Sequence, residues 1–261
     1  MKRVLITGAN GFLGREFTSY FRKEYDVFSL SRDQLDVTNE VEVKTFLDTN
    51  VVDIVLHTAF SGVSNPKVSI RDAISNLKAY ENLSKHLRSD QKLFCFGSGS
   101  AKEGSKTKAS VGYTTVKRLI SQDILERKKE NVFDFTLYGC FGVEEDTSRF
   151  IKSSIRNSNN SEPIIINNNI FMDFFFVEDV CKVIERYTQP DSCTLPKSFD
   201  LVYKVKVTLL EIAKIISDNE YLITIIDPEG IPYVGDSSTL DDIGLSLVGL
   251  EKGIEKVKCL I

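Results

Sequence analysis

The chain opens Arg3-Val4-Leu5-Ile6-Thr7-Gly8-Ala9-Asn10-Gly11-Phe12-Leu13-Gly14, and these residues decide its fold. Val4–Thr7 is a short β-favouring run without polar interruption, the pattern of a strand covered on both faces. It stops at Gly8, and the glycines that follow are spaced G-x-x-G-x-x-G ahead of a helical pattern over Gly14–Lys23. One glycine makes a tight turn. Another lets backbone N–H groups approach a pyrophosphate at the helix N-terminus, and the last lets helix and strand pack closely. Three glycines alone are a weak signal, because glycines gather in turns. At the first strand-to-helix junction they predict dinucleotide binding.

Outward from this junction the same rhythm repeats. Strands are expected at Asp26–Leu30, Asp53–His57, Lys92–Gly97 and Asp134–Gly139, and helices at Glu40–Asp48, Val68–Leu87 and Tyr113–Lys129. Alternating strands and helices of this length predict an α/β fold with a doubly wound parallel sheet. After residue 140 the pattern loosens. Helices are expected at Arg149–Asn157, Val177–Tyr187 and Thr208–Asn219, strands at Ser198–Val202 and Tyr221–Ile226, and one edge strand within Pro163–Asn169. No linker separates the halves, so the second half reads as a smaller α/β lobe folded against the first.

The composition bounds the function. There are 261 residues, 42% of them hydrophobic, and 33 basic against 37 acidic side chains give a net charge of −4. A real core is expected and general disorder is not. The mild acidity leaves no basic footprint for nucleic acid. No apolar run approaches the roughly 20 residues of a membrane span, and Val4–Thr7 is too short for a signal segment. Cys95, Cys140, Cys181, Cys193 and Cys259 form no C-x-x-C pair, and only His57 and His86 could join them, so no zinc site is expected. The cysteines read as reduced, packed thiols of a cytoplasmic protein.

At the end of the second strand, an acidic residue accepts from a ribose 2′-OH, whereas an Arg accommodates a 2′-phosphate. The chain reads Ser31-Arg32-Asp33 there. Arg32 favours NADPH. NADH stays open, with Asp33 as the ribose acceptor and Arg32 a solvated charge.

Tyr113 and Lys117 stand at i and i+4 of one helix. An ammonium beside a phenol favours the phenolate and eases proton exchange, and the same ammonium reaches ribose hydroxyls. A Y-x-x-x-K is expected about once by chance in such a chain, but this one opens the helix that follows the strand ending Phe96-Gly97-Ser98-Gly99-Ser100. A hydroxyl there can polarise the same substrate oxygen; Ser98 is the candidate and Ser100 reads as a turn residue.

With these motifs in place, the chain resembles the extended short-chain dehydrogenase/reductases of the nucleotide-sugar epimerase/dehydratase/reductase superfamily over nearly its whole length. Thr7–Gly14 matches that family's T-G-x-x-G-F-[IL]-G loop, which implies cofactor contacts from Gly8, Asn10, Gly11, Phe12, Leu13 and Gly14. Ser31–Thr38 resembles the adenine-ribose segment of NADPH-using 4-keto sugar reductases, which adds Ser31, Arg32, Asp36 and Val37. Val55–Ala59 resembles an "hxAA" element beneath the cofactor, adding Thr58 and Ala59 and making His57 structural. Asn76 falls where the family has an Asn opposite the active site. Ser98, Tyr113 and Lys117 match the catalytic set, with Lys117 also a cofactor contact. Cys140-Phe141-Gly142 resembles "x-Y-G", Met172–Val180 resembles "R-D-F-x-x-V-x-D-V", and Gly235–Ser238 with Leu240–Gly244 resembles "D-x-S-k-x-x-x-x-L-G".

The departures narrow the reaction. Met172 stands where most relatives carry an Arg, a usual diphosphate or sugar contact, so Arg149 and Arg156 become candidates for holding the substrate phosphates, with Ser100 and Gly139 as further substrate contacts. The loop from Ser98 to Tyr113 is short and rich in Lys, Gly and Ser. No Asp-Glu pair follows Ser98, which disfavours a dehydratase. The Cys and His of bifunctional epimerase-reductases fall at Ser100 and near Ser148 or Arg149. The resemblance therefore implies NADPH-dependent 4-keto reduction of a nucleoside-diphosphate 6-deoxysugar, in the making of surface-polysaccharide sugars. An NAD-dependent 4-epimerase is the alternative, and a non-catalytic NAD(P)-binding protein of the same fold is a second. The expected division is a Rossmann core over 1–144, with 173–205 returning to it, and a substrate-binding lobe from 145–172 and 206–261. The expected partner is a nucleotide sugar, with a homodimer among the assemblies allowed.

Overall fold

The computed structural model describes residues 1–61, 69–102, 110–127 and 129–261. Val68, Lys128 and positions 103–109 of the loop before Tyr113, all covered by the expectations above, lie outside the described residues, as does the Cys193 side chain. The elements run β1 (Arg3–Thr7), α1 (Phe12–Phe21), β2 (Asp26–Leu30), α2 (Glu40–Thr49), β3 (Ile54–His57), α3 (Ile70–His86), β4 (Lys92–Ser98), α4 (Val111–Glu126) and β5 (Val132–Leu137). They continue as β6 (Gly139–Phe141), α5 (Phe150–Asn159), β7 (Ile164–Asn168), β8 (Phe174–Phe176), α6 (Val177–Tyr187), β9 (Ser198–Asp200), α7 (Leu209–Ile216), β10 (Ile223–Asp227), α8 (Ser238–Ile243) and α9 (Leu250–Lys258).

Two compact units emerge: Met1–Thr136 with Ile184–Phe199, and Leu137–Val183 with Asp200–Ile261. The first is built on a six-stranded sheet in the order β2-β1-β3-β4-β5-β9. β1 pairs in parallel with both β2 and β3, and β3 with β4, so the strand order reverses direction at β1. That switch point leaves a crevice outside the carboxyl end of β1, where open α/β sheets bind ligands. The predicted doubly wound parallel sheet is the one found.

Side-chain alternation sends each strand's residues to two cores. Leu93 and Cys95 of β4 join Leu5, Val55, Leu83, Val116 and Ile120 against α2, α3 and α4. Phe94 faces the opposite way, 5.1 Å from Phe133 and 6.3 Å from Tyr187 between ring centres, and Phe96 meets Phe17 at 5.2 Å. Each fully buried side chain of this size contributes about 1.5–3 kcal/mol. Buried strands without a polar face are what the unbroken apolar runs required.

Caps explain where helices depart from the expected bounds. Ser110 accepts from the Tyr113 N–H, so α4 begins two residues before Tyr113. Ser69 and Asp72 form a reciprocal capping box at the start of α3. The strand expected over Asp134–Gly139 begins at Val132 and is broken at Tyr138, where the chain passes from β5 to β6.

In the second unit, β6 pairs with β8 and β7 with β10, both in parallel. The expected edge strand is thus one half of a small sheet of its own. α9 was not anticipated. Its entry is held by Asp179, fully buried, which accepts from the N–H groups of Val248 at 2.7 Å and Gly249 at 3.0 Å and from the Tyr203 hydroxyl at 2.6 Å. Among the described residues no helix is long and apolar enough to cross a membrane. Cys95 and Cys181 are buried free thiols, but Cys259 is exposed, so the cysteines are not uniformly packed.

Candidate active site

The loop between β1 and α1 is shaped by what has no side chain. Gly8 adopts φ +72°, and a Cβ there would sit 2.7 Å from the backbone of Ala59. A Cβ on Gly14 would sit 2.8 Å from the Ala9 Cα. The turn closes through Gly11 N–H to the Gly8 carbonyl at 3.0 Å, and Ala9 N–H donates to the Leu30 carbonyl at 3.2 Å. α1 then starts at Phe12, with no side-chain cap and no acidic residue in its first turn. A helix start of this kind, with first-turn N–H groups and a positive dipole end, favours an anion.

Beside this cradle is a cavity lined by Gly8, Arg32, Asp36, Val37, Ala59 and Asn76, among others. Arg32 stands at its rim, its guanidinium 3.3 Å from the Asp36 carboxylate and largely exposed. Burial raises the Asp36 carboxyl, but hydrogen bonds from the Thr38 hydroxyl and N–H, with the charge of Arg32, hold it below the usual carboxylate range. Asp36, and not Asp33, is the acid that lines the cavity. The Ser31 N–H and hydroxyl both donate to the Gln34 side-chain oxygen. Thr58 donates to the Thr7 carbonyl at 2.7 Å and locks the end of β3 beside β1. Among the described residues the geometry fits a dinucleotide: a backbone-lined turn at the start of α1, and a neighbouring cavity where Arg32 and Asp36 stand.

Tyr113 and Lys117 lie on α4, and Ser98 ends β4. The Lys117 ammonium donates to the Phe96 carbonyl at 2.6 Å and lies 3.9 Å from the centre of the Phe60 ring. That ring meets Tyr113 edge-on, 5.3 Å between centroids. Phe60 was missed from the sequence, although it directly follows Thr58-Ala59. Asn76 fixes the neighbouring segment: it accepts from Ser61 N–H at 2.8 Å and donates to the Ser61 carbonyl at 3.0 Å. Ser98 Oγ is 2.9 Å from Ser100 Oγ and accepts from the Ser100 N–H at 3.3 Å. The turn Gly99–Ala101 thus presents Ser98 with Ser100 buried behind it. His57 is buried, with Nδ1 3.0 Å from the Thr7 hydroxyl. Burial, and then the charge of Lys117, bring its pKa down to about 3.

The model of the NAD dependent epimerase/dehydratase family matches residues 4–199. The chain belongs to this family. No curated protein matches it. Among solved structures it is similar to dTDP-4-dehydrorhamnose reductase from Bacillus anthracis in complex with NADP, at 20% identity and TM-score 0.81, covering 100% of this chain and 99% of that one. It is also similar to a GDP-D-glycero-L-gluco-heptose synthase from Campylobacter jejuni with NADPH, at 16% identity and TM-score 0.77, covering 98% and 96%. A third is UDP-N-acetylglucosamine 4-epimerase from Bacillus cereus, at 16% identity and TM-score 0.74, covering 100% and 96%. At such identities the likeness fixes the fold and leaves the reaction to the residues of this epimerase/dehydratase family member.

In its second unit this family member places the remaining expected residues as follows. Gly139 opens β6 and donates its N–H to the Asp173 carbonyl at 2.9 Å. Arg149 is the N-cap residue of α5, half-exposed, with Nε 3.5 Å from a Glu145 oxygen. Arg156 lies in the last turn of α5. Met172 donates its N–H to the Val207 carbonyl at 3.2 Å.

Proposed function

We propose that the chain catalyses NADPH-dependent reduction of the 4-keto group of a nucleoside-diphosphate 6-deoxysugar. One observation carries this reading: the Lys117 ammonium, one turn from the Tyr113 phenol, is anchored on the Phe96 carbonyl two residues before Ser98. Those three groups sit in the same unit as the glycine cradle. The cradle and the first turn of α1 would hold the pyrophosphate, and the cavity rimmed by Arg32 the adenine ribose with its 2′-phosphate. Bound there, the cofactor supplies the hydride that a carbonyl carbon accepts.

The protein's share is the oxygen. Negative charge grows on the carbonyl oxygen as its carbon is reduced, and a donor already in place stabilises it without reorganisation. Tyr113 gives that oxygen its phenolic proton, completing the alcohol. Lys117 favours the phenolate left behind. Ser98, backed by Ser100, donates a positioning hydrogen bond to the same oxygen.

An NAD-linked 4-epimerase is the second reading, and Asp36 favours it, since a carboxylate lining this cavity accepts from a ribose 2′-OH. The deciding experiment follows NADPH absorbance with dTDP-, GDP-, UDP- and CDP-4-keto-6-deoxysugars and identifies the product by NMR. Consumption of one NADPH per sugar reduced is expected. Co-purified NAD with interconversion of C4 epimers, and no demand for added cofactor, would overturn the reductase.

A further inference from the structure

Asp134 stands on β5, 1% exposed, and has no part in the chemistry above. A carboxylate this deep persists only where hydrogen bonds and opposite charges replace the water it has lost. Burial raises its pKa, opposed by the Ser121 hydroxyl, by the charges of Lys117 and Lys102, and by the Gly97 N–H. It also bears on the buried Cys95 thiol of β4, which burial and then Asp134 push upward.

The sources of those partners matter more than their number. Ser121, which donates its hydroxyl to Asp134 Oδ2, is one turn beyond Lys117 on α4. Gly97 immediately precedes Ser98 on β4, and a Cβ there would come within 3.0 and 3.1 Å of the two carboxylate oxygens. One buried side chain therefore touches the strand end that carries Ser98 and the helix that carries Tyr113 and Lys117.

We infer that Asp134 is a positioning residue, clamping the Ser98 end of β4 to the Lys117 turn of α4 so that hydroxyl, phenol and ammonium keep one geometry. The inference rests on the reading that Ser98, Tyr113 and Lys117 serve the reacting oxygen. Groups that must converge on one atom tolerate little slack, and small misplacements are costly. An apolar side chain at 134 would fill the same space and hold neither neighbour.

The test compares Asp134→Ala, Asp134→Asn, Ser121→Ala and Tyr113→Phe with the wild type. Hydrogen exchange needs no substrate: Asp134→Ala and Ser121→Ala are expected to speed exchange both at Phe96–Ala101 and along Tyr113–Ile120, while Asp134→Asn, whose amide oxygen can accept from the Gly97 N–H and whose amide N–H can donate to the Ser121 hydroxyl, does not. In turnover, Asp134→Ala should lose about ten- to a hundredfold in kcat, with KM and NADPH affinity within about twofold, and Asn should restore most of it. Faster exchange confined to β5, wild-type kcat in Asp134→Ala, or an Asn variant as impaired as Ala would each overturn the clamp. Ser121→Ala carries the same comparison should Asp134→Ala fail to fold. Wild-type turnover in Tyr113→Phe would overturn the reductase reading alone, because the exchange data still decide the clamp. An inactive Tyr113→Phe beside a fully active Asp134→Ala would remove the clamp alone.

Discussion

Ser98 Oγ and Ser100 Oγ lie 2.9 Å apart, within hydrogen-bond distance of each other. Ser100 is buried, and its N–H donates to the Ser98 Oγ at 3.3 Å. Ser98→Ala should lower turnover by about tenfold or more, and Ser100→Ala by roughly three- to tenfold, the range of one hydrogen bond. The double variant should be no worse than Ser98→Ala. Steady-state kinetics on the three variants check this, and fully additive losses would mean the hydroxyls work independently.

Arg32 and Asp36 pair at the rim of one cavity, where the guanidinium would suit a 2′-phosphate and the carboxylate a ribose 2′-OH. In Arg32→Ala, affinity for NADPH should fall at least about tenfold, the scale of a charge-assisted hydrogen bond. NADH affinity should hold, because the same change frees Asp36 to accept from ribose hydroxyls. Fluorescence titration of both cofactors gives the answer. Equal loss for the two would mean that Arg32 does not meet a 2′-phosphate.

Gly8 combines a left-handed backbone with backbone contact to Ala59, so any side chain there meets both obstacles. Gly8→Ala is expected to destabilise the protein by about 1–3 kcal/mol and to abolish dinucleotide binding. A melting curve with and without NADPH measures both effects. Cofactor-induced stabilisation equal to that of the wild type would show that the loop is not the cradle.

Two buried groups give stability opposite slopes with pH. His57 has a folded pKa of about 3, below its ordinary value of 6.5. Between those values the unfolded chain binds the extra proton, so stability is fully present above about pH 6.5 and falls as pH drops toward 3. Glu145 is buried, and burial, only partly offset by Arg149, raises its pKa from 4.5 to about 7. Here the folded chain holds the extra proton, and stability is lost as pH rises from about 4.5 to 7. Each group changes the slope by up to about 1.4 kcal/mol per pH unit. Denaturant melts across this range should lose the rising component in His57→Gln and the falling component in Glu145→Gln. An unchanged profile in either variant would contradict its assigned burial.

Much of this protein was legible along the chain because its determinants are local. An apolar run without a polar face needs helices on both sides, and glycines between such a run and a helix allow a tight turn and close helix–strand packing. Tyr113 and Lys117 share a face by helical spacing alone. The tertiary structure decided what depends on partners distant in sequence. Only the fold brings Phe60 beside both Tyr113 and Lys117, leaves Asp33 off the cavity that Asp36 lines, and sets the buried Ser100 within hydrogen-bond distance of Ser98. Asp134 reads in the sequence as a polar residue within a strand. It becomes a link between β4 and α4 because burial removes its water, leaving Ser121 and Gly97 as hydrogen-bond partners and Lys117 and Lys102 as opposing charges.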